Sequence, residues 1–531
     1  MAADDWLLTA RERGNPRWRM PAWCSGNAVT PLVNGATYFD RLVDEVGSLR
    51  AGDHLFFTDW RGDADQRLRT DGPTVGELFG AAARRGVIVK GLMWRSHSDE
   101  LAYSEQENRR LGDEVDDAGG EVLLDQRIRR AGSHHQKLVV LRRPADPDRD
   151  VAFVGGIDLC HSRRDDAAHE GDPQALPMSP PYGAHPPWHD VQLEVHGPAV
   201  GMLDEVFRER WDDPQPLDLR TPIARLRDAL RDAEQTAGPL PARPADPAPA
   251  GSAVVQVLRT YPAIRPGYPF APDGERSVAR GYTKALGRAR RLVYLQDQYL
   301  WSPHIARLLA AALRRSPELH LVVIVPRHSD VDGRFSLPPN QVGRWEALRV
   351  CRAAASDRVH VFDLENHHGT PVYGHAKVAV VDDVWAAAGS ANLNRRSWSH
   401  DSELTVAVLD DTLDGRDPTH PADHGDPARR FARALRLRLM REHLDRAGDD
   451  DVDDGDDLCD PMEAVLALDR AATALDAWHR AGRIGPRPPG RLRHHRPERL
   501  RWYTRLWAVP VYRLVYDPDG RTWGDRLRRR W

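Results

Sequence analysis

His375-Ala-Lys377-Val-Ala-Val-Val-Asp382, followed by Gly389-Ser390-Ala-Asn392, is the stretch that decides the fold. A β-branched run ending at an acid and then a glycine turn predicts a strand with a hairpin partner. Side chains at i and i+2 of a strand share a face, so His375 and Lys377 are expected to point together, with Ala376 on the other side. A neutral imidazole beside a fixed ammonium suits attack on, or proton donation to, a phosphodiester whose oxygens the ammonium neutralises. The turn at Gly389 and Ser390 is expected to offer backbone N–H groups to the same anion, along with the Asn392 amide. One His-x-Lys alone is commonplace, and its ordinary reading is structural. The chain carries two.

The first copy reads His135-Gln-Lys137, with its glycine turn at Gly155-Gly156-Ile-Asp158. Working outward, four strand-like runs precede or enter each copy in the same order. They are His54–Trp60, Val87–Trp94, Glu121–Asp125 and Lys137–Leu141, then Leu292–Tyr299, Leu319–Val325, Val359–Asp363 and Lys377–Val381. From Leu55 to His135 is 80 positions and from Val293 to His375 is 82, a match of order and spacing that points to internal duplication. A helical pattern, Thr74–Arg85, lies between the first two runs, and Val200–Trp211 and Pro427–Leu444 read as closing helices. The expected fold is therefore α/β, with two similar lobes, each a mostly buried mixed β-sheet flanked by helices, and one active site at the lobe interface. A pseudo-two-fold axis would turn both histidines to one cleft, one as nucleophile and the other as acid, then base.

The lobes are expected at residues 1–211 and 253–445. Between them lies a linker, 212–252, with a short helical pattern (Ile223–Ala233) and a stiff Pro/Ala-rich run, Pro239–Ala250. Residues 446–531 open on an acidic run, Asp449–Asp460, expected as a solvated loop. They end on a segment, Arg483–Trp531, that sets 14 Arg against four acids and carries Trp502, Trp507, Trp523 and Trp531. That segment reads as a helix packed back on the lobes, as an interfacial anchor, or as a nucleic-acid patch.

Composition narrows the classes. The 531 residues are 41% hydrophobic and 29% charged, which excludes a mainly disordered chain. A formal net charge of −4 gives no overall field for nucleic acid or anionic lipid, so such a partner must meet a local patch. Cys24, Cys160, Cys351 and Cys459 form no C-x-x-C pair, which argues against a zinc knuckle or disulfide framework and favours a reducing cytosol. Met1–Trp6 has no basic segment leading an apolar run, and no apolar stretch nears 18 residues, so neither a standard secretion signal nor a membrane span is expected. His134, His367, His368 and His400 lack metal-ligand spacing and read as surface or supporting residues. Trp188 and Tyr299 read either as cleft lining or as core. Neither a P-loop nor a G-x-S-x-G elbow occurs.

The doubled motif His-x-Lys-x4-Asp-x6-Gly-Ser-x-Asn resembles the phospholipase D superfamily. HHQKLVVL, AFVGGIDLCHSRRDD and PWHD resemble the eukaryotic-type enzymes and their bacterial relatives, over residues 30 to 445. The resemblance implies a ping-pong reaction through phosphohistidine, without metal or other cofactor. Carried over by position, His135 is the nucleophile, His375 the general acid and base, and Lys137, Lys377 and Asn392 the phosphate clamp. Asp190 and Glu403, each at the start of a following strand, would hold the histidines' far nitrogens. Two positions depart from the pattern. Arg142 stands where Asp382 stands in the second copy, and spacing back from Gly155 moves the acid to Asp148, with Asp146 or Asp150 as substitutes. Asp158 replaces Asn392, either turning away or bonding the lysine. Asp148, Asp158, Asp382, Ser390 and Gly156 are thus expected in supporting or structural roles.

The implied function is a phospholipase D type phosphodiesterase that hydrolyses glycerophospholipid headgroups, or transfers the phosphatidyl group to a primary alcohol, at a membrane surface. The protein is expected as a cytoplasmic monomer, peripheral at the inner membrane face, with no nucleic-acid partner. A cardiolipin-synthase-like phosphatidyltransferase, a nuclease and an inactive membrane-binding scaffold are the competing readings.

Overall fold

The computed structural model describes residues 3–96, 104–217, 236–330, 336–422, 425–446, 457–497, 500–528 and 531. The helical pattern at 223–233 and residues 449–456 of the acidic run lie outside them. Seven strands form the sheet of the first lobe: β1 (Cys24–Val33), β2 (His54–Asp59), β3 (Ile88–Trp94), β4 (Glu121–Asp125), β5 (Leu138–Arg142), β6 (Val151–Gly155) and β7 (Val191–His196). The second lobe repeats them as β8 (Ala253–Tyr261), β9 (Leu292–Gln296), β10 (His320–Ile324), β11 (Val359–Glu365), β12 (Val378–Val381), β13 (Trp385–Gly389) and β14 (Glu403–Asp410).

The spatial order is 1-7-6-5-2-3-4 in the first sheet, with β2, β3 and β4 parallel and the rest antiparallel. In the second it is 8-14-13-12-9-10-11, with the same mixture. Each strand of the first lobe therefore has its counterpart seven numbers later, and the duplication read from spacing is present as topology. The two sheets also meet edge to edge, where Cys24 and Asn27 of β1 pair with Val255 and Ala253 of β8.

Both faces of each sheet are buried, which explains why the strands read as near-continuous apolar runs. The outer faces carry helices such as Val75–Arg84, closed at its start by a capping box between Thr74 and Glu77. Between the sheets lie the two closing helices, Ala199–Trp211 and Arg430–His443. Their Phe207, Trp211, Leu435 and Leu439 share one core with Phe56 and Val140 of the first sheet and Tyr294 and Val380 of the second. The Pro/Ala-rich linker has no regular secondary structure from 236 to 250 and is laid along the first lobe. Trp211 Nε1 donates to Gly238 O at 2.8 Å, and Arg142 to Ala245 O at 2.7 Å.

Several local expectations change. His375–Lys377 and His135–Lys137 are not strand residues, since β12 and β5 begin one residue later. Trp6, Leu7 and Leu8, assigned by sequence to the first lobe, pack into the core of the second. The end of the acidic run is not a solvated loop: Leu458 and Cys459 are buried, and Asp460 caps the helix Pro461–Arg480 by accepting from Met462 N at 2.7 Å. Further on, β15 (Leu492–His494) adds antiparallel to β11. Asp517 then accepts from Arg395 and Arg396 N, both at 3.0 Å, and Trp531 packs edge-on to Trp398. The basic tail therefore wraps back on the second lobe.

The motif acid is structural. Asp382 accepts from the backbone N–H groups of Arg290, Arg291 and Leu292 at 2.7 to 2.8 Å, fixing the entry to β9. In the first lobe Arg142 occupies the matching place, opposite His54, and is neutralised by Asp150 at 2.6 Å and Asp204 at 2.9 Å. Asp148 does not take over the acid's part. It is exposed and accepts from Ala248 N of the linker at 2.9 Å, because the longer hairpin carries it off the sheet. Asp382→Ala should cost about 1–3 kcal/mol of stability by leaving buried donors unpaired, measured by urea unfolding, while turnover of the folded fraction stays within a few-fold.

Candidate active site

His135 and His375 enter the site from opposite lobes on the extended segments ahead of β5 and β12. Each is held by a carboxylate of the other lobe. His375 Nδ1 lies 2.6 Å from Asp190 Oδ2, just before β7, and His135 Nδ1 lies 2.9 Å from Glu403 Oε2, the first residue of β14. Backbone bonds fix the crossing. His135 N donates to Ser402 O at 2.9 Å, Ser402 N to Ser133 O at 3.0 Å, and His375 N to His189 O at 2.8 Å. With Nδ1–H donated to a carboxylate, each Nε2 is left as the lone-pair nitrogen.

The lysines are not equivalent. Lys137 Nζ pairs with Asp158 Oδ1 at 3.1 Å, and the same carboxylate takes Arg163 at 3.3 Å. Burial favours a neutral Asp158, but Lys137 and Arg163 outweigh it and hold its carboxyl well below the usual range. Burial and the charge of Asp158 push Asp59 well up, so Asp59 keeps its proton in the hydrogen bond they share. In the second lobe the matching residue is the neutral Asn392, whose Oδ1 is buried without a hydrogen-bond partner. Lys377 Nζ instead lies 2.7 and 2.9 Å from the His375 ring nitrogens. Burial, together with the charge of Lys137, brings Lys377 down to about 8. Burial and Lys377 bring His375 down to about 3, so it is neutral in the free protein.

Two tryptophans wall the site. Trp188 packs 4.9 Å from the His375 ring under the Arg163 guanidinium, which lies 3.8 Å from its centroid. Trp60 stands edge-on to His135 at 6.3 Å, with Lys137 5.9 Å from its ring.

The family model described as Phospholipase D matches residues 60–259, and that described as Cardiolipin synthase, PLD-like domain, matches residues 282–415. The chain belongs to the phospholipase D superfamily. It is 25% identical to phospholipase D alpha 1 of Vigna unguiculata over 70% of this chain and 58% of that protein. It is 24% identical to the Arabidopsis thaliana phospholipase D alpha 1 over 78% and 65%. The chain thus spans about three fifths of the length of these curated relatives. The fold resembles that of the phosphatidylserine synthase from Haemophilus influenzae Rd KW20, with a TM-score of 0.51 and 15% identity over 75% of this chain and 86% of that one.

Of the residues that the superfamily motif singles out, His135, Lys137, His375, Lys377, Asp190, Glu403 and Asp158 converge. The glycine turns do not serve as an anion cradle. Ser390 N donates to Leu404 O at 2.8 Å and its hydroxyl to Glu403 Oε2 at 2.5 Å, so Ser390 steadies the carboxylate behind His135. Gly156 N is likewise taken by Val191 O, and a Cβ there would sit 2.2 Å from Asp190 Oδ1, so the glycine makes room for the carboxylate behind His375. His134 is fully buried and bonds Thr58 at 3.1 Å, and His400 is buried too, whereas His367 and His368 are largely exposed. Tyr299 lines a cavity of about 330 Å³ with Gln298, Trp301, Arg344 and Tyr373.

Sequence reasoning missed Asp59, Asp297, Trp60 and Arg163. Asp59 ends β2, Asp297 directly follows β9, and the two do the same work. Asp59 Oδ2 accepts from Leu159 N at 2.9 Å and Asp297 Oδ2 from Leu393 N at 2.8 Å, which ties each strand to the turn after the motif. The repeated Asp of TDW and QDQ was the available signal. With burial bringing Lys377 down to about 8, and with the phosphate-clamp role proposed below, kcat/KM should fall about tenfold per pH unit above that value as the ammonium loses its charge. Lys377→Arg should abolish that alkaline limb at reduced overall activity. A flat wild-type profile from about pH 7 to 10 would count against Lys377 as the clamp.

Proposed function

We propose that this superfamily enzyme is a phospholipase D type phosphodiesterase and phosphatidyltransferase that uses both histidines on one substrate phosphate. The observation that carries the reading is the crossed pair of carboxylate-held imidazoles with lysines beside both. His135 Nε2 attacks phosphorus, the P–O bond to the headgroup breaks, and the departing oxygen takes a proton from His375. A water or a primary alcohol then gives its proton to His375 and attacks phosphorus, and the P–N bond to His135 breaks. His375 is neutral in the free site, so the proton it donates is retained only when the phosphodiester anion lies beside it. Lys377, with no carboxylate on its own turn, is the cation that draws that anion, while Lys137 is held by Asp158.

Incubation with phosphatidylcholine and a primary alcohol should give the phosphatidyl alcohol. His135→Asn and His375→Asn should each lower turnover by more than about a hundredfold. Rapid quenching with labelled substrate should place the label on His135, and label on His375 would reverse the two roles. Nicked plasmid without a lipid product would replace this reading by a nuclease. Product formed only with phosphatidylglycerol as acceptor would favour the cardiolipin-synthase-like transferase, the reading to which the match of residues 282–415 lends support. Loss of neither activity in the histidine variants would leave an inactive scaffold with a contaminant.

The substrate is proposed to be met at an anionic membrane surface by the tail. The helix Trp502–Val511 and the turn after it bury Ala508 and Tyr512 against the second lobe, yet leave Trp502 73%, Leu506 68% and Leu514 76% exposed among Arg501, Arg505 and Arg513. Exposed indole and aliphatic groups with arginines near them in the chain suit a negatively charged lipid interface. Among the described residues no helix is long and apolar enough to cross a membrane. Truncation before residue 480 would strip β15 from the sheet, so the cleaner test is Trp502→Ser with Leu506→Ser. Sedimentation with phosphatidylglycerol-containing liposomes should fall several-fold, and unchanged binding would discard the anchor.

A further inference from the structure

A second polar cluster lies behind the active site and takes no part in the transfer chemistry. His169, His189 and Glu442 are buried, with ligand atoms within 4.8 Å of one another, and Asn34 closes the group. The hydrogen bonds around it fix which nitrogens carry protons. His169 Nδ1 lies 3.1 Å from Trp188 O, and a carbonyl only accepts, so Nδ1 holds a hydrogen; Asp165 and Glu442 outweigh burial and pull the ring up to about 9, so in the metal-free protein Nε2 carries a proton that a bound metal would displace. Nε2 points at Glu442 Oε1, 3.3 Å away.

His189 repeats the pattern from the other side. Its Nε2 lies 2.8 Å from Gln296 Oε1, and the Gln296 amide nitrogen is turned to Tyr294 OH at 2.7 Å and His443 Nε2 at 2.8 Å. Nε2 therefore donates, and Nδ1 presents its lone pair to Glu442 Oε1 at 3.1 Å and Asn34 Oδ1 at 3.0 Å. The Asn34 amide nitrogen faces the Glu442 oxygens at 3.2 and 3.3 Å, which fixes its carbonyl toward His189. Asn34 sits at a positive φ of 68°, opens the helix Gly35–Gly47 without capping it, and turns its side chain into the cluster.

Two imidazole nitrogens, a carboxylate oxygen and an amide oxygen thus converge, and either protons on the rings or a bound cation must balance them. Bonds of about 2.0–2.1 Å to a tetrahedral ion separate its ligands by about 3.3–3.4 Å, close to the spacings found. Histidines whose outer N–H is committed to a fixed acceptor are oriented as metal ligands are. We propose that His169, His189, Glu442 and Asn34 bind one divalent ion of the zinc class. The ion clasps the closing helix Arg430–His443 of the second lobe to three segments of the first, one residue from Asp190. It adds a structural ion and does not enter the transfer step, so the proposal stands apart from the proposed function.

The test uses the full chain and reads metal and stability, not turnover. Protein purified without chelator should hold one equivalent of zinc by elemental analysis. After unfolding in EDTA and refolding, Zn2+ should raise the denaturation midpoint and saturate at one equivalent, and Co2+ should give the visible bands of a tetrahedral nitrogen and oxygen site. Glu442→Gln and His169→Ala should lose both effects. If either variant fails to fold, His189→Asn, read for Co2+ bands in the soluble fraction, supplies the same comparison. Wild-type protein that takes up substoichiometric metal and gains no stability from Zn2+ or Co2+ would assign the place to protons on the two rings and overturn the proposal. Variants that retain a full equivalent would do so too.

Discussion

The two crossed carboxylate–histidine pairs are the contacts on which the rest of the structure depends. His375 is oriented by Asp190 and His135 by Glu403, and in both cases the partner belongs to the other lobe. Neither lobe alone therefore holds its imidazole in the tautomer that leaves Nε2 free. The edge pairing of β1 with β8 and the shared core around the two closing helices place the sheets so that both crossings form at once. An imidazole at a fixed angle with one nitrogen committed has little left to reorganise when charge develops, which is the advantage of building the site from rigid strand ends.

Duplication has left a symmetric frame with an asymmetric site. The pinning aspartates Asp59 and Asp297 have kept the same work. Their surroundings have diverged: Asp158 answers to Asn392, Gly156 to Ser390 and Arg142 to Asp382. The first exchange matters most for charge, because it pairs Lys137 with a carboxylate on its own turn and leaves Lys377 facing a neutral amide there. The other two conserve packing by different chemistry. A hydroxyl supports Glu403 where an absent Cβ admits Asp190, and three backbone donors meet Asp382 where two carboxylates meet Arg142.

The net charge of −4 likewise conceals a division of labour. Much of the basic tail is consumed in packing, through Asp517 with Arg395 and Arg396 and through β15 on β11. What it leaves outward includes Trp502, Leu506, Leu514, Trp523 and Leu527.

The amino-acid order by itself determined the α/β class, the succession of four strands along each lobe, the duplication and the two His-x-Lys pairs. These rest on periodicity and spacing, which are local and survive in a linear reading. Even there the boundary was off by a residue, since the ladder pairing of β5 and β12 begins only after each lysine. Only the tertiary structure decided which carboxylate serves which histidine, what Ser390 and Gly156 do, and that Asp148 is spent on the linker. It alone brought Arg163 and Trp60 to the site and Asn34, His169, His189 and Glu442 together. The physical reason is separation along the chain: His375 and Asp190 are 185 positions apart, His135 and Glu403 268, and Asn34 and Glu442 408. Contacts at such distances are set by how two sheets stack, and no short window of sequence carries that information.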